Sequence, residues 1–153
     1  MCKKTLNEEK ILVNIAEKEF DREGFVLKAL KEEKFRDLLV ENMINHPKIM
    51  VYYHCFYILS DACSKNPRYF YWFYDKFVNL LNHKNSYHRD FGLILIAKLS
   101  VLDSIKIDDI LDDYLKLLHD EKFMTAEVCV NNCFIIASQK KSLKGKIIDA
   151  LLD

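Results

Sequence analysis

Ile44-Asn45-His46-Pro47, Leu81-Asn82-His83-Lys84 and Leu118-His119-Asp120-Glu121 begin at positions 44, 81 and 118, so one short pattern returns twice at a step of 37 residues. A fixed period of this size marks a stack of helical units, each too small to bury its own apolar face. The residues after each turn keep the register. Cys55, Gly92 and Cys129 share a column of small side chains. Leu59, Ile96 and Cys133 share another, Ala62, Leu99 and Ile136 a third, and Phe56, Leu93 and Val130 a fourth. Positions 55, 59 and 62 are spaced i, i+4, i+7, which on a helix is one inward stripe. A glycine in mid-helix costs about 1 kcal/mol relative to alanine. Gly92 therefore predicts a place where two helix backbones approach closely.

The stretch before each turn repeats too. Phe70, Phe73, Tyr74, Phe77, Val78, Leu80 and Leu81 coincide, one period on, with Ile107, Ile110, Leu111, Tyr114, Leu115, Leu117 and Leu118. The equivalent Leu38, Leu39, Val40 and Met43 slip out of register by a residue. The pattern predicts helices over 7–22 and 25–45 with a break at Gly24, then over 48–64, 67–82, 86–101, 104–118, 123–138 and 142–152. Asn66 before Pro67 reads as an N-cap with proline at the first helical position. Asp103 or Ser104 reads as the next cap, and Lys141-Ser142 as a weaker start. The chain is expected to be one domain, 1–153, with units 30–64, 67–101 and 104–138, an N-terminal helical cap over 7–29 and a C-terminal capping helix over 141–153. In that last helix Leu143, Ile147, Ile148, Leu151 and Leu152 are expected to pack on the preceding pair.

Composition narrows the function classes. Twenty-three basic and 23 acidic residues give a formal net charge of zero. A generic phosphate-backbone binder should be basic. Three glycines and two prolines cannot punctuate an all-β fold or build a glycine-rich phosphate loop. Met1-Cys2-Lys3-Lys4 runs into acids rather than an apolar stretch, which argues against a signal peptide. The longest uncharged run, Ile49 to Ser60, contains His54 and three tyrosines, so no membrane span is expected. A cytoplasmic protein is the expectation. Five cysteines, Cys2, Cys55, Cys63, Cys129 and Cys133, are an odd number that suits no disulfide framework. Cys129 and Cys133 share a helix face; core packing is preferred there to a metal site, because no CxxC pair accompanies them. No metal and no cofactor is called for.

Leu81-Asn82-His83-Lys84-Asn85-Ser86-Tyr87-His88-Arg89, followed by Gly92, Leu93, Leu95, Ile96 and Leu99, resembles a HEAT repeat. That family pairs antiparallel helices across a turn that often carries an Asp, and six residues later an Arg opens the inner helix. Arg89 and Gly92 match, and His83 stands where the family prefers Asp. In the third unit Asp120 matches while Ala126 replaces the Arg; in the first, His46 and Tyr52 hold those columns. The resemblance runs over residues 30–153 and implies an all-α fold, a right-handed α-α superhelix of the HEAT/armadillo-like solenoid type with seven to eight helices. It also implies a ladder between neighbouring units, in which Arg89 should pair with Asp120.

Such an array is expected to bind on its concave face, lined by the inner helices. Its outward columns read Tyr53, Tyr57, Asp61; Asp90, Ile94, Lys98; and Glu127, Asn131, Ile135. Two tyrosines, two isoleucines, three acids and one lysine suit a protein or peptide better than a phosphate backbone. The alternative is packing among themselves. Tyr69-Phe70-Tyr71-Trp72-Phe73-Tyr74 cannot bury all six rings on one side of a helix. Tyr71 and Trp72 align with Asp108 and Asp109, so they should point outward as an interface anchor, for a partner protein or for a homo-oligomer. Asp108, Asp109, Asp112 and Asp113 form an acidic cluster without a ligand loop, and Lys140, Lys141, Lys144 and Lys146 a small basic patch. No His-Glu pair of the kind used by HEAT-like di-iron hydroxylases occurs. No catalytic arrangement stands out. The reading is a small protein- or peptide-binding interaction module or scaffold without catalytic activity. The alternative is a nucleic-acid-binding protein related to HEAT-like DNA alkylation-repair glycosylases, disfavoured because the concave columns are not basic.

Overall fold

The computed structural model describes residues 5–153. Met1 to Lys4, and with them Cys2 and the lysines weighed in the signal-peptide reading, lie outside the described residues. Among those described there are nine α-helices and no strand. The chain divides into two compact units, Met1–Lys65 and Asn66–Asp153. The boundary falls where the sequence places the step between its first and second repeat.

In the first unit α1 (Leu6–Ile15) opens on a capping box. The Glu8 carboxylate accepts from the Thr5 N–H at 2.7 Å, and the Glu8 N–H donates back to Thr5 Oγ1. The predicted helix over 7–22 ends early, at Ile15, and the chain turns through 16–21. His54 explains the stop. It is buried, its Nδ1 lies 2.6 Å from the Ile15 carbonyl, and its ring stacks on Phe20 at 4.2 Å. The predicted break at Gly24 is not there: Gly24 lies inside α2 (Arg22–Lys31), whose N-cap is Asp21. The Gly24 N–H donates to Asp21 Oδ1 at 2.9 Å, and a Cβ on residue 24 would fall 2.1 Å from Asp21 Oδ2. The glycine makes room for the cap. A second break, at Glu32, separates α2 from α3 (Glu33–Asn45), and Arg36 spans it by donating to the Ala29 carbonyl. α4 (Ile49–Lys65) packs against α1, α2 and α3. Leu39, Val40 and Met43 of α3 and Cys55, Ile58, Leu59 and Ala62 of α4 are all fully buried. Burying a leucine- or isoleucine-sized side chain stabilises by about 1.5–3 kcal/mol.

The second unit starts with a 3-10 stretch, Pro67–Phe73, that continues into α5 (Tyr74–Leu80). α6 (Ser86–Leu99) follows, then a 3-10 stretch Ile107–Ile110, α7 (Leu111–Lys116), another 3-10 turn Leu117–His119, and α8 (Phe123–Gln139). Lys141–Leu143 and α9 (Lys144–Leu152) end it. Three expected continuous helices, over 67–82, 104–118 and 142–152, thus open as 3-10 turns. The first two carry aromatic or β-branched residues, Tyr69 to Phe73 and Ile107 with Ile110, types that lose rotamer freedom in an α-helix. Neither Asp103 nor Ser104 caps: the element begins at Ile107 after Lys106, with no side-chain cap, and Asn66 makes no capping bond either. α6 packs on α5 and on α8, and α8 on the 117–119 turn and on α9. Leu143 and Ile147 are buried as expected, but Ile148 and Leu152 are exposed. Residues 143 and 147 share one stripe; 148 and 152 lie on the next stripe round the helix.

The 37-residue step is visible in the element boundaries. α4, α6 and α8 start at 49, 86 and 123, and α5 and α7 at 74 and 111. The turns repeat in their bonding. His46 Nδ1 accepts from the Lys48 N–H, His83 Nδ1 from the Asn85 N–H, and Asp120 Oδ1 from the Lys122 N–H, at 3.1, 3.0 and 2.8 Å. A histidine that accepts at Nδ1 does what an aspartate carboxylate does in an Asx turn. The small column repeats as well. A Cβ on Gly92 would meet the Phe77 carbonyl at 2.9 Å; one period on, Cys129 Sγ donates to the Tyr114 carbonyl at 3.4 Å.

Candidate partner-binding surfaces

The inner-helix columns sort by environment. Tyr53, Tyr57 and Asp61 on α4 are half-buried. The two tyrosines meet edge to face at 5.1 Å. Arg22, at the start of α2, lies 4.7 Å over the Tyr57 ring and forks onto Asp61 at 2.6 and 2.9 Å. α2 thereby covers part of this column, with a cleft of about 490 Å³ beside it lined by Arg22, Val26, Asp61 and Ser64. The hydrogen bond to Asp61 raises the Arg22 pKa, against a smaller opposing effect of burial.

On α6, Asp90, Ile94 and Lys98 are half-buried; on α8, Glu127, Asn131 and Ile135 are exposed. Asp90 is tied down by the buried Thr125, whose hydroxyl donates to it at 2.6 Å. Burial raises the Asp90 carboxyl, opposed by that hydroxyl and by Arg89. α8 also exposes Phe123, Met124 and Phe134, a feature that the column pattern did not single out. Its signal is a difference within a column: Phe134 stands one period after Ala97, which is buried.

The expected pairing of Arg89 with Asp120 is present. Arg89 Nε and Nη2 donate to the two Asp120 oxygens at 2.7 and 2.8 Å, and Nη1 donates to the His83 carbonyl at 2.9 Å. The two side chains are 9% and 6% exposed, so this is a buried pair and not a solvated arginine. Burial by itself would raise the Asp120 carboxyl; the Arg89 guanidinium and the Lys122 N–H outweigh it and hold it below the ordinary carboxylate value.

Tyr71 and Trp72 face outward as the register requires. Trp72 is 83% exposed and Tyr71 37%, and the rings pair edge to face at 5.3 Å. They line a cleft of about 490 Å³ together with Asp75, Val78, Lys106 and Asp109. Tyr74, also in its lining, donates its hydroxyl to the Lys106 carbonyl at 3.4 Å. Burial first, then the charges of Asp109 and Asp75, push the Tyr74 pKa up to about 12.

The remaining candidates have local uses. Cys129 and Cys133 are both fully buried, and the interaction with Cys133, then burial, pushes the Cys129 thiol well up. Among the described residues no group of three or more His, Cys, Asp or Glu is placed to hold a metal ion. Lys146 pairs with Asp112 at 2.7 Å, Lys116 with Asp113, and Lys140 donates to the Leu102 carbonyl. The acidic cluster and the basic patch thus meet each other in part. No helix among the described residues is long and apolar enough to cross a membrane. Comparison with protein-family models, with curated proteins and with solved structures finds no match.

Proposed function

We propose that the chain is a HEAT-like helical-repeat module, a right-handed α-α superhelix, that binds a protein or peptide partner and catalyses no reaction. The observation that carries the binding reading is Trp72. It is the only tryptophan in the chain, it is 83% exposed, and it stands beside Tyr71 at the edge of a cleft. Tryptophan and tyrosine dominate protein interface hot spots because they bury large area with few rotamers. The exposed apolar residues of α8 and the mixed polarity of Glu127, Asn131 and Ile135 support the same reading. The repeat part rests on the recurrent turn bond at 46, 83 and 120 and on the Arg89–Asp120 fork.

The test is comparative affinity capture at moderate salt with the wild-type chain and with Trp72→Ala. A protein retained by the first and lost by the second is the expected result. A chain that captures nothing in a Trp72-dependent way, yet shifts random duplex DNA with a steep salt dependence, overturns the reading in favour of nucleic-acid binding.

A further inference from the structure

The cleft beside Trp72 has a charge as well as an aromatic edge. Its lining includes two carboxylates, Asp75 and Asp109, and one ammonium, Lys106. Both carboxylates reach the Tyr74 phenol with their fields, so they act on one point of the cleft. Both are exposed, and none of the five ion pairs among the described residues uses either of them or Lys106. Of the neighbouring acids, Asp112 pairs with Lys146 and Asp113 with Lys116, while Asp108, which does not line the cleft, is in none of these pairs. Two unneutralised carboxylates beside exposed indole and phenol faces describe a receptor for a cation that is also flat. An aliphatic guest would strip water from the carboxylates without replacing it, and a phosphate would be repelled.

We propose that this cleft binds the guanidinium of an arginine side chain presented by a partner protein, stacked against Trp72 and Tyr71 and paired with Asp75 and Asp109. Arginine fits better than lysine because its guanidinium is planar, weakly hydrated, able to stack on an aromatic face and able to fork onto carboxylates. The inference rests on the protein-binding reading above and names what the partner must display. Lys106 sets a threshold: a guest must bring enough stacking to hold its place beside a like charge.

The experiment uses the full chain and three fluorescein-labelled peptides, Gly-Arg-Arg-Gly and its lysine and citrulline counterparts, read by anisotropy with Trp72 emission followed in parallel. Citrulline keeps the shape of arginine and removes the charge. The expected result is saturable binding of the arginine peptide with a change in Trp72 emission, the citrulline peptide weaker by about tenfold or more, and lysine between them. Asp75→Asn with Asp109→Asn should weaken the arginine peptide by at least about tenfold. Both positions are exposed, and unchanged thermal melting confirms that the variant is folded. Equal binding of the arginine and citrulline peptides, no binding of either, or an unchanged affinity in the double variant overturns the proposal. If arginine selectivity is absent while a protein is still captured through Trp72, only the arginine assignment falls; if Trp72-dependent capture is absent too, the reading beneath it falls with it.

Discussion

Arg89 joins two turns that lie one period apart: two of its nitrogens hold the carboxylate of Asp120, and a third holds the carbonyls of His83 and Lys84. The fork is 9% and 6% exposed. Removing one partner of a buried pair strands the other, at a cost on the order of 3 kcal/mol. Arg89→Ala and Asp120→Ala should each lower stability by about that amount, with a coupling of about 1–3 kcal/mol in the double-mutant cycle measured by urea unfolding. Additive effects would show that the pair contributes nothing beyond its separate contacts. The pH dependence follows from the sign. The folded carboxyl of Asp120 lies below its ordinary value, so its stabilisation is fully present above about pH 3.9 and is lost as the pH falls through the folded value. Asp90 works the other way, since burial raises it and protonation relieves that cost. Asp120→Asn should therefore flatten the acid limb of the stability curve.

The turn acceptor at His83 has a substitute already tried by the chain itself, at Asp120. His83→Asp keeps an oxygen in reach of the Asn85 N–H, whereas His83→Ala leaves that donor without its partner. A net hydrogen bond is worth about 1 kcal/mol, and both variants lose the 4.2 Å stack of His83 on His88, so the turn bond alone separates them. The aspartate variant should melt above the alanine variant. In the wild type the ring proton should sit on Nε2, which nitrogen-15 shifts of the imidazole report directly.

Much of the helical framework could be read from side-chain spacing. The helix starts at 49, 86 and 123 follow from columns such as Cys55, Gly92, Cys129, because packing of inner on outer helices fixes where small residues must stand. The Arg89–Asp120 fork was expected on other grounds, from the ladder that the resemblance to a HEAT repeat implies. What lay outside the period was not. Arg22 reaches Asp61 across 39 residues of sequence, from a segment with no repeat to align it. The early end of α1 depends on His54, which holds the Ile15 carbonyl from a helix far along the chain. The 3-10 openings of the outer helices were hidden because apolar spacing alone does not separate a tight first turn from an α-helical one. Of the candidate surfaces, Tyr71 and Trp72 were legible by alignment with Asp108 and Asp109. The cleft and its carboxylates were not, since they need two segments brought together.

Two glycines give opposite expectations for the same substitution. Gly92→Ala gains about 1 kcal/mol of helix propensity. Its new methyl would sit 2.9 Å from the Phe77 carbonyl and 3.0 Å from Leu80 Cβ, so backbone must move. Overpacking of that kind costs about 1–3 kcal/mol, and the net result should be a lower melting temperature. Gly145, in the first turn of α9, has nothing within 4 Å of a built Cβ. Gly145→Ala should stabilise by about 0.5 kcal/mol. A rise in both variants would remove the case for a close approach at Gly92.

Tyr74 offers a spectroscopic handle on the carboxylates of the cleft. Its pKa is pushed up to about 12, first by burial and then by Asp109 and Asp75. In an alkaline titration followed by phenolate absorbance, Tyr74 should ionise after the exposed tyrosines. Asp109→Asn removes one of the two fields and should bring that transition down, leaving the others in place. No movement would mean that Asp109 is too distant to act on the phenol.

Trp72 separates stability from binding. A side chain 83% exposed contributes little to the folded state, and substitutions at such positions stay within about 0.5 kcal/mol. Trp72→Ala should therefore melt like the wild type, which is what makes it usable as a binding variant. Because it is the sole tryptophan, the emission of the intact protein reports this one site. That emission should be red-shifted and quenched efficiently by acrylamide in the free protein, and protected when the cleft is filled. Emission that is blue-shifted and shielded in the free chain would mean that something already covers the ring, and would remove the indole from the list of surfaces open to a partner.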